Sequence, residues 1–240
     1  MRKITLKNIA FKHKNMENFL FENLDVTFTT EKPNILIGYN GAGKTTLFDL
    51  LTGLDNLKLQ SGEIQDIPDK RQIIYQTQSA NLFGVLTGRD VETFIFGTST
   101  GYQAIDFTQL SLHHRELYES LQDKKVGVMS LGERRWLLIF LLSHLDKELF
   151  LLDEPTSGVD PISRQQIMQD LNKLVKMEDR KKTVIISTHI LEDIQNWDCM
   201  IHLLNKGKIL SFDNYTDFLS GAETTNPNIA FEYYIQNYFV

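Results

Sequence analysis

The 240-residue chain contains one cysteine, Cys199. A disulfide within the chain is excluded, and a reducing compartment fits. There is no Lys/Arg-rich run, and the net charge is -6. No broad electrostatic surface for nucleic acid is expected, and no nucleic-acid partner. Long apolar runs are missing too. The longest extends from Trp136 to Leu142, far short of the about 20 residues that span a bilayer. Residues 1–30 hold no continuous apolar core of signal-peptide type. If the chain serves a membrane process, another chain must supply the membrane part. Internal repeats and low-complexity segments are also absent.

Hydrophobic residues make up 42% of the chain and charged residues 23%. That is ordinary globular composition, with enough length to bury a sizeable core. Residues 4–9 and 24–29 alternate apolar and polar side chains, as half-buried strands do. Ile35, Leu36 and Ile37 form a short apolar run ending at Gly38, and Leu47, Leu50, Leu51 and Leu54 then recur at helical spacing. The pattern reads strand, glycine loop, helix. A second apolar run, residues 149–152, ends in Asp153 and Glu154. Asp160 can cap a following helix with Pro161 at its first position and Ile167, Leu171, Leu174 and Val175 on its inner face. A third strand, residues 183–186, runs into Ser187, Thr188 and His189. Strands alternating with helices imply an α/β domain with a mostly parallel, covered sheet. Such sheets bind ligands at the carboxyl ends of their strands, where the glycine loop, the acidic pair and His189 all fall. Between Gln78 and Ser130 glycines punctuate helical stretches, which reads as a helical insertion. In the tail, Phe231, Tyr234, Ile235 and Tyr238 share one face of a final helix, with Asn226 and Pro227 near its start.

The loop Gly38, Tyr39, Asn40, Gly41, Ala42, Gly43, Lys44, Thr45 matches the phosphate-binding pattern GxxxxGK[ST]. Its glycines let backbone N–H groups face phosphates, and the next helix points its positive end at them. Lys44 is expected to reach the β and γ phosphates, and Thr45 to bind Mg²⁺. Asp153 stands where the second Mg²⁺-directed group of such sites lies, and Glu154 can orient or deprotonate a water. Ser130 and Glu133 form a local capping box. The same helix start, with the serine hydroxyl and Gly132, is also suited to an anion.

Together these residues resemble the nucleotide-binding domain of ABC transporters over nearly the whole chain. The family's Walker A motif matches residues 38–46, which adds Thr46. Its glutamine loop resembles residues 75–78, with Gln78 fitting better than Gln76. Its signature motif resembles residues 129–133 and its Walker B motif residues 149–154. Its D-loop resembles Ser157 to Asp160, and its switch histidine is His189. The resemblance implies two ATP molecules sandwiched between two head-to-tail copies. Glu154 would be the general base, His189 would contact the γ-phosphate and the water, and Gln78 would sense Mg²⁺ and the water. Ser130 and Gly132 would bind the γ-phosphate held by the other copy. Adenine would stack on His13 or on nearby Phe11. The expected organisation is one P-loop domain over residues 1–240 with an N-terminal antiparallel β part. Residues 1–78 and 145–220 would form the nucleotide-binding core, 79–144 the helical subdomain and 221–240 a helical tail.

The family reading implies ATP hydrolysis, membrane-spanning partner subunits, a second ATPase chain in a homodimer, and a peripheral place on the cytoplasmic face of the cell membrane. Leu131 replaces the first signature glycine and Glu133 the usual glutamine. Leu131, the short chain and the tail resemble exporter-type ATPases for drugs, antimicrobial peptides or lipids. Tyr39 replaces a small residue or proline, and is expected to face outward with little effect. The segment with Leu82, Phe83, Val85, Leu86, Phe94, Ile95 and Phe96 corresponds to the family's contact with the membrane subunit. About three-quarters of these side chains are expected to be core. The competing reading is a soluble ABC-family ATPase or regulator not coupled to transport. Ribosome-acting members usually carry two such domains in one chain, DNA-acting ones a long coiled coil, and neither feature is seen.

Overall fold

The computed structural model describes residues 3–14, 16–54, 57–79, 82–176, 182–195 and 197–239. Strands β1 (Lys3–Phe11) and β2 (Phe21–Thr29) pair antiparallel, and β1 also pairs antiparallel with β4 (Ser61–Gln65). The main sheet has six strands. In addition to β3 (Asn34–Ile37) it contains β5 (Ile73–Gln76), β6 (Leu149–Asp153), β7 (Thr183–Thr188), β8 (Met200–Asn205) and β9 (Lys208–Phe212), in the order β5-β6-β7-β3-β8-β9. All neighbours are parallel except the β8–β9 hairpin.

The central strands are apolar on both faces because both faces are covered. Ile35, Ile37, Phe150, Leu152, Val184 and Ile186 enter one core cluster, and Leu36, Leu149, Leu151 and Ile185 enter the other. The period of two thus appears as alternation between two buried sides. Each fully buried Leu, Ile or Phe stabilises the fold by about 1.5–3 kcal/mol relative to exposure. The first cluster packs under the helical segment and α5 (Pro161–Lys176). The second packs against the three-stranded sheet and α1 (Lys44–Thr52).

Helix α1 buries Leu47, Leu50 and Leu51 and stops at Gly53, which takes a left-handed φ of 62°. Leu54 falls beyond that stop and is exposed, against its expected place on the helix's inner face. Asp160 Oδ1 accepts from the N–H groups of Ile162 and Ser163, the expected cap. Ile167 and Leu171 are buried as expected; the side chains of Leu174 and Val175 lie outside the described residues.

The inserted segment contributes α2 (Gly88–Thr98), α3 (Leu112–Gln122) and α4 (Leu131–Ser143), capped by Thr87, Ser111 and Ser130. Its apolar side chains divide differently from the expected three-quarters. Leu82, Leu86, Ile95 and Phe96 pack on the core, whereas Phe83, Val85 and Phe94 are 76%, 77% and 66% exposed. The chain ends in α6 (Tyr215–Ser220) and α7 (Pro227–Tyr238). In α7, Tyr234 is buried and Phe231 and Ile235 pack on the core, but Tyr238 is exposed and falls outside the inner face assigned to it.

Candidate functional site

The carboxyl ends of β3, β6 and β7 are adjacent in the sheet, and their register puts Asp153 opposite Ser187. The glycine loop leaves β3 and curls into α1. Gly43 caps α1 with a φ of 106°, which an L side chain rarely adopts, and a Cβ there would meet the Phe21 ring at 2.9 Å. The loop, the acidic pair and β1's end enclose a cavity of about 380 Å³. It is lined by His13, Asn40, Gly41, Gly43, Lys44, Thr45, Thr46, Gln78, Asp153 and Glu154, together with Met16 and Leu20.

Thr45 donates its hydroxyl to Asp153 Oδ2 at 2.7 Å, and Ser187 donates to Asp153 Oδ1 at 2.5 Å. A hydroxyl beside a carboxylate is the oxygen donor set that suits Mg²⁺, which takes few protein ligands and completes its shell with water and phosphate. No group of three or more His, Cys, Asp and Glu able to hold a metal occurs among the described residues.

Glu154 has a φ of 46°, an unfavourable conformation for a residue with a side chain. Its N–H is held by the hydroxyl and carbonyl of Ser187, at 2.9 and 3.2 Å. The resulting turn aims the carboxylate into the cavity. Gln78 donates from Nε2 to Glu154 Oε2 at 3.2 Å, and His189 Nδ1 lies 3.2 Å from the same oxygen. Lys44 donates to the carbonyls of Gly38 and Tyr39 at 2.8 and 3.2 Å, and its Nζ is 3.8 Å from Glu154 Oε1. Burial lowers the Lys44 pKa and outweighs the opposing pull of Glu154 and Asp153.

Other expected residues fall elsewhere. Gln76 is buried and bonds the next carbonyl, so of the two glutamines Gln78 is the one that reaches the acidic pair. Phe11 is buried, with the His13 ring edge-on at 5.0 Å, so only exposed His13 can present a face to a base. Ala42 packs on the core beneath the loop. Gly38 and Tyr39 line a second cavity together with His189. Tyr39 does not merely face outward: its ring meets Phe231 at 5.0 Å and its hydroxyl donates to Glu232 at 2.5 Å. Ser130 and Gly132 line neither cavity. The Ser130 hydroxyl caps α4 by accepting from Glu133 N at 3.1 Å.

Two contributors escaped the sequence reading. Ser187 braces the Asp153 carboxylate and the Glu154 backbone N–H, and only the pairing of β7 with β6 makes that visible. Buried Arg135 donates to the Gln78 carbonyl, tying α4 to the glutamine segment. No local pattern singles it out from neighbouring Arg134.

A phosphate loop between a central parallel strand and a helix, facing an acidic pair at the end of β6 with β7 between the two strands, defines a P-loop nucleoside triphosphatase. The description "ABC transporter" matches residues 21–157, more than half of the chain. Protein McbF of Escherichia coli is 31% identical over 231 residues, covering 92% of this chain and 91% of that protein. The energy-coupling factor transporter ATP-binding protein EcfA1 of Mycoplasma mobile is 26% identical over 200 residues, 79% of this chain and 72% of that protein. The solved dimeric post-hydrolysis state of the ATP-binding cassette MJ0796, bound to ADP and Pi, has the same fold. Its TM-score is 0.66 at 23% identity, over 88% of this chain and 98% of that one. The chain belongs to the ABC transporter family, as an ATP-binding subunit that hydrolyses ATP to drive transport. No helix among the described residues is long and apolar enough to cross a membrane.

Proposed function

We propose that this chain is the motor of an exporter for drugs, antimicrobial peptides or lipids, working at the cytoplasmic face of the cell membrane. Two identical copies pair head to tail around two ATP molecules and drive separate membrane-spanning subunits. The observation that carries the catalytic part is the Glu154 carboxylate, which lines the glycine-loop cavity and has Gln78 Nε2 and His189 Nδ1 each 3.2 Å from its Oε2.

In this reading Lys44 leaves its two carbonyl acceptors and neutralises the phosphates, which the N–H groups of residues 40–46 cradle. Thr45 and Asp153 hold Mg²⁺, with Gln78 beside it. Bound there, Mg²⁺ neutralises phosphate charge and orients the β and γ oxygens. Glu154 takes the proton of the attacking water, and Gln78 and His189 fix the direction of its carboxylate. His13 stacks on adenine. Ser130 and Gly132 of one copy meet the γ-phosphate held by the other. A dimer is what the MJ0796 structure contains, and exposed Phe83, Val85 and Phe94 offer apolar contact to a membrane subunit. The direction of transport rests on Leu131 in the signature.

Glu154→Gln tests the chemistry. The amide keeps the shape but accepts no proton at neutral pH, so ATP binding is expected to persist while turnover falls about 10²–10⁴-fold. Wild-type turnover would move the base elsewhere. Coupling and direction are tested in inverted membrane vesicles carrying this chain with its copurifying membrane protein. ATP-driven accumulation inside them supports export. Accumulation in right-side-out vesicles would make the chain an import motor, and ATPase activity with no membrane protein bound would favour a soluble ATPase.

A further inference from the structure

The last helix touches both sides of the catalytic machinery. Tyr234 anchors α7: its ring is buried against Phe212 and Phe218, and its hydroxyl donates to the Phe218 carbonyl at 3.0 Å. With that side of the helix fixed, Glu232 and Phe231 reach Tyr39 in the phosphate loop. The Tyr39 hydroxyl donates to Glu232 Oε1 at 2.5 Å, and its ring meets Phe231 edge-on, at 89° between planes. One turn earlier, Asn228 donates to Glu192 Oε1 at 2.8 Å, in the short helical turn Leu191–Ile194 that follows His189. A cavity of about 450 Å³ lies between these contacts.

Tyr39 also closes the turn of the loop through its backbone. Its carbonyl accepts from Ala42 N at 3.1 Å, closing the turn, and from Lys44 Nζ at 3.2 Å. Where the ring is held therefore decides where the carbonyl that shapes the loop sits.

We infer that α7 is a strut for the phosphate loop: the Glu232–Tyr39 hydrogen bond holds the loop in the shape that accepts ATP. Tyr39 and Glu232 are positioning residues, and any event that lifts α7 weakens ATP binding. A preformed loop loses less conformational freedom when ATP arrives, so the contact acts on affinity. The bond is solvent-exposed, so its net worth is that of an ordinary hydrogen bond, and an effect of about three- to tenfold in the dissociation constant is the scale expected. The inference rests on the loop being the ATP cradle.

The test uses the full chain with Glu154→Gln to stop turnover, and measures the dissociation constant for ATP by calorimetry. Glu232→Ala is expected to raise it about three- to tenfold, and Tyr39→Phe, which keeps the ring, by a similar factor. The double variant is expected to be no worse than either single one, because both remove the same bond. Glu232→Gln, whose amide oxygen still accepts, is expected to restore part of the affinity. With Glu154 intact, Glu232→Ala is expected to raise KM for ATP and leave kcat within about twofold. A merely structural role would instead lower the melting temperature and kcat together. Unchanged or tighter ATP binding in Glu232→Ala, or additive effects in the double variant, would overturn the strut. Lys44→Ala separates the two readings: if it binds ATP normally, the cradle assignment fails, and not the strut alone.

Discussion

Histidines 189 and 202 show how surroundings assign a side chain its work. His189 is half-exposed beside Glu154 and lines the second cavity. His202 is fully buried in β8, with Nδ1 2.8 Å from Ser211 Oγ, and burial pushes its pKa down to about 4. Its unfolded value is near 6.5, so the unfolded chain binds a proton that the folded chain refuses. The stability associated with neutral His202 is therefore complete above about pH 6.5 and is lost as pH falls from there through 4. At pH 5 the loss is about 2 kcal/mol relative to pH 7. Urea unfolding of His202→Gln, compared with wild type at both values, is expected to show a flatter pH dependence by that amount. Equal slopes would mean that His202 titrates in the fold as it does in the unfolded chain. His13 belongs to the same scale with an opposite outcome. Stacking on a base is worth about 1–3 kcal/mol where it has been measured, and His13→Ala is expected to raise the dissociation constant for ATP at least fivefold without a change in melting temperature. Phe11→Ala is expected to cost about 3–5 kcal/mol of stability, because its ring is core. If Phe11→Ala weakened ATP binding more at unchanged stability, the stacking role would pass from His13.

At the scale of elements, the start of α4 joins capping, packing and charge. Ser130 and Glu133 complete a reciprocal capping box, and Lys124 adds two bonds to the Glu133 carboxylate at 2.8 and 2.9 Å. Burial raises the Glu133 pKa, but the Lys124 bonds and the Ser130 N–H outweigh it and leave it below its ordinary value. Its contribution is present above the unfolded value of about 4.3 and disappears as pH falls through the lower folded one. Glu133→Gln preserves the box, since glutamine serves there as well. It removes a partly exposed ion pair, so the expected loss at pH 7 is at most about 1 kcal/mol. Thermal melts at decreasing pH check this: a difference that does not shrink as pH falls would assign the effect to the cap. Gly132 has its own reason, because a Cβ there would meet Ser163 Oγ at 2.7 Å and Asp160 Oδ2 at 3.2 Å. Capping signals of this kind are local, which is why the starts of α4 and α5 could be read from Ser130, Asp160 and Pro161. The alternation in β1 and β2 and the apolar runs of β3, β6 and β7 were legible for the same reason. Leu54 misled because the helical period continues through Gly53, while the backbone does not. The exposed Phe83, Val85 and Phe94 misled because hydrophobicity reports what prefers burial, not whether this chain alone supplies the cover.

For the whole molecule, strand order explains which parts of the site could be anticipated. The glycine loop, the acidic pair and His189 each end a strand, and a parallel sheet collects such ends on one edge. Ser187's hold on Asp153, Arg135's on Gln78 and Tyr39's on Glu232 join residues 34, 57 and 193 positions apart, and no short-range pattern encodes them. Ser130 and Gly132 stay outside the cavity of their own chain, which is the arrangement a site shared between two copies requires. Cross-linking tests it. Met129 is buried, so the signature is marked at Leu131, which is 39% exposed. Ala42→Cys marks the phosphate loop and Leu131→Cys the signature. Cys199 can stay, because burial hides the thiol and pushes its pKa up to about 12. A disulfide needs Cα atoms within about 7 Å. With Glu154→Gln to prolong the ATP-bound state, mild oxidation in ATP is expected to yield a covalent dimer on a non-reducing gel, and much less without nucleotide. A disulfide within a single chain would place loop and signature together in the monomer and rule out the head-to-tail pair. A dimer formed equally well without ATP would mean that the copies associate without sharing their sites.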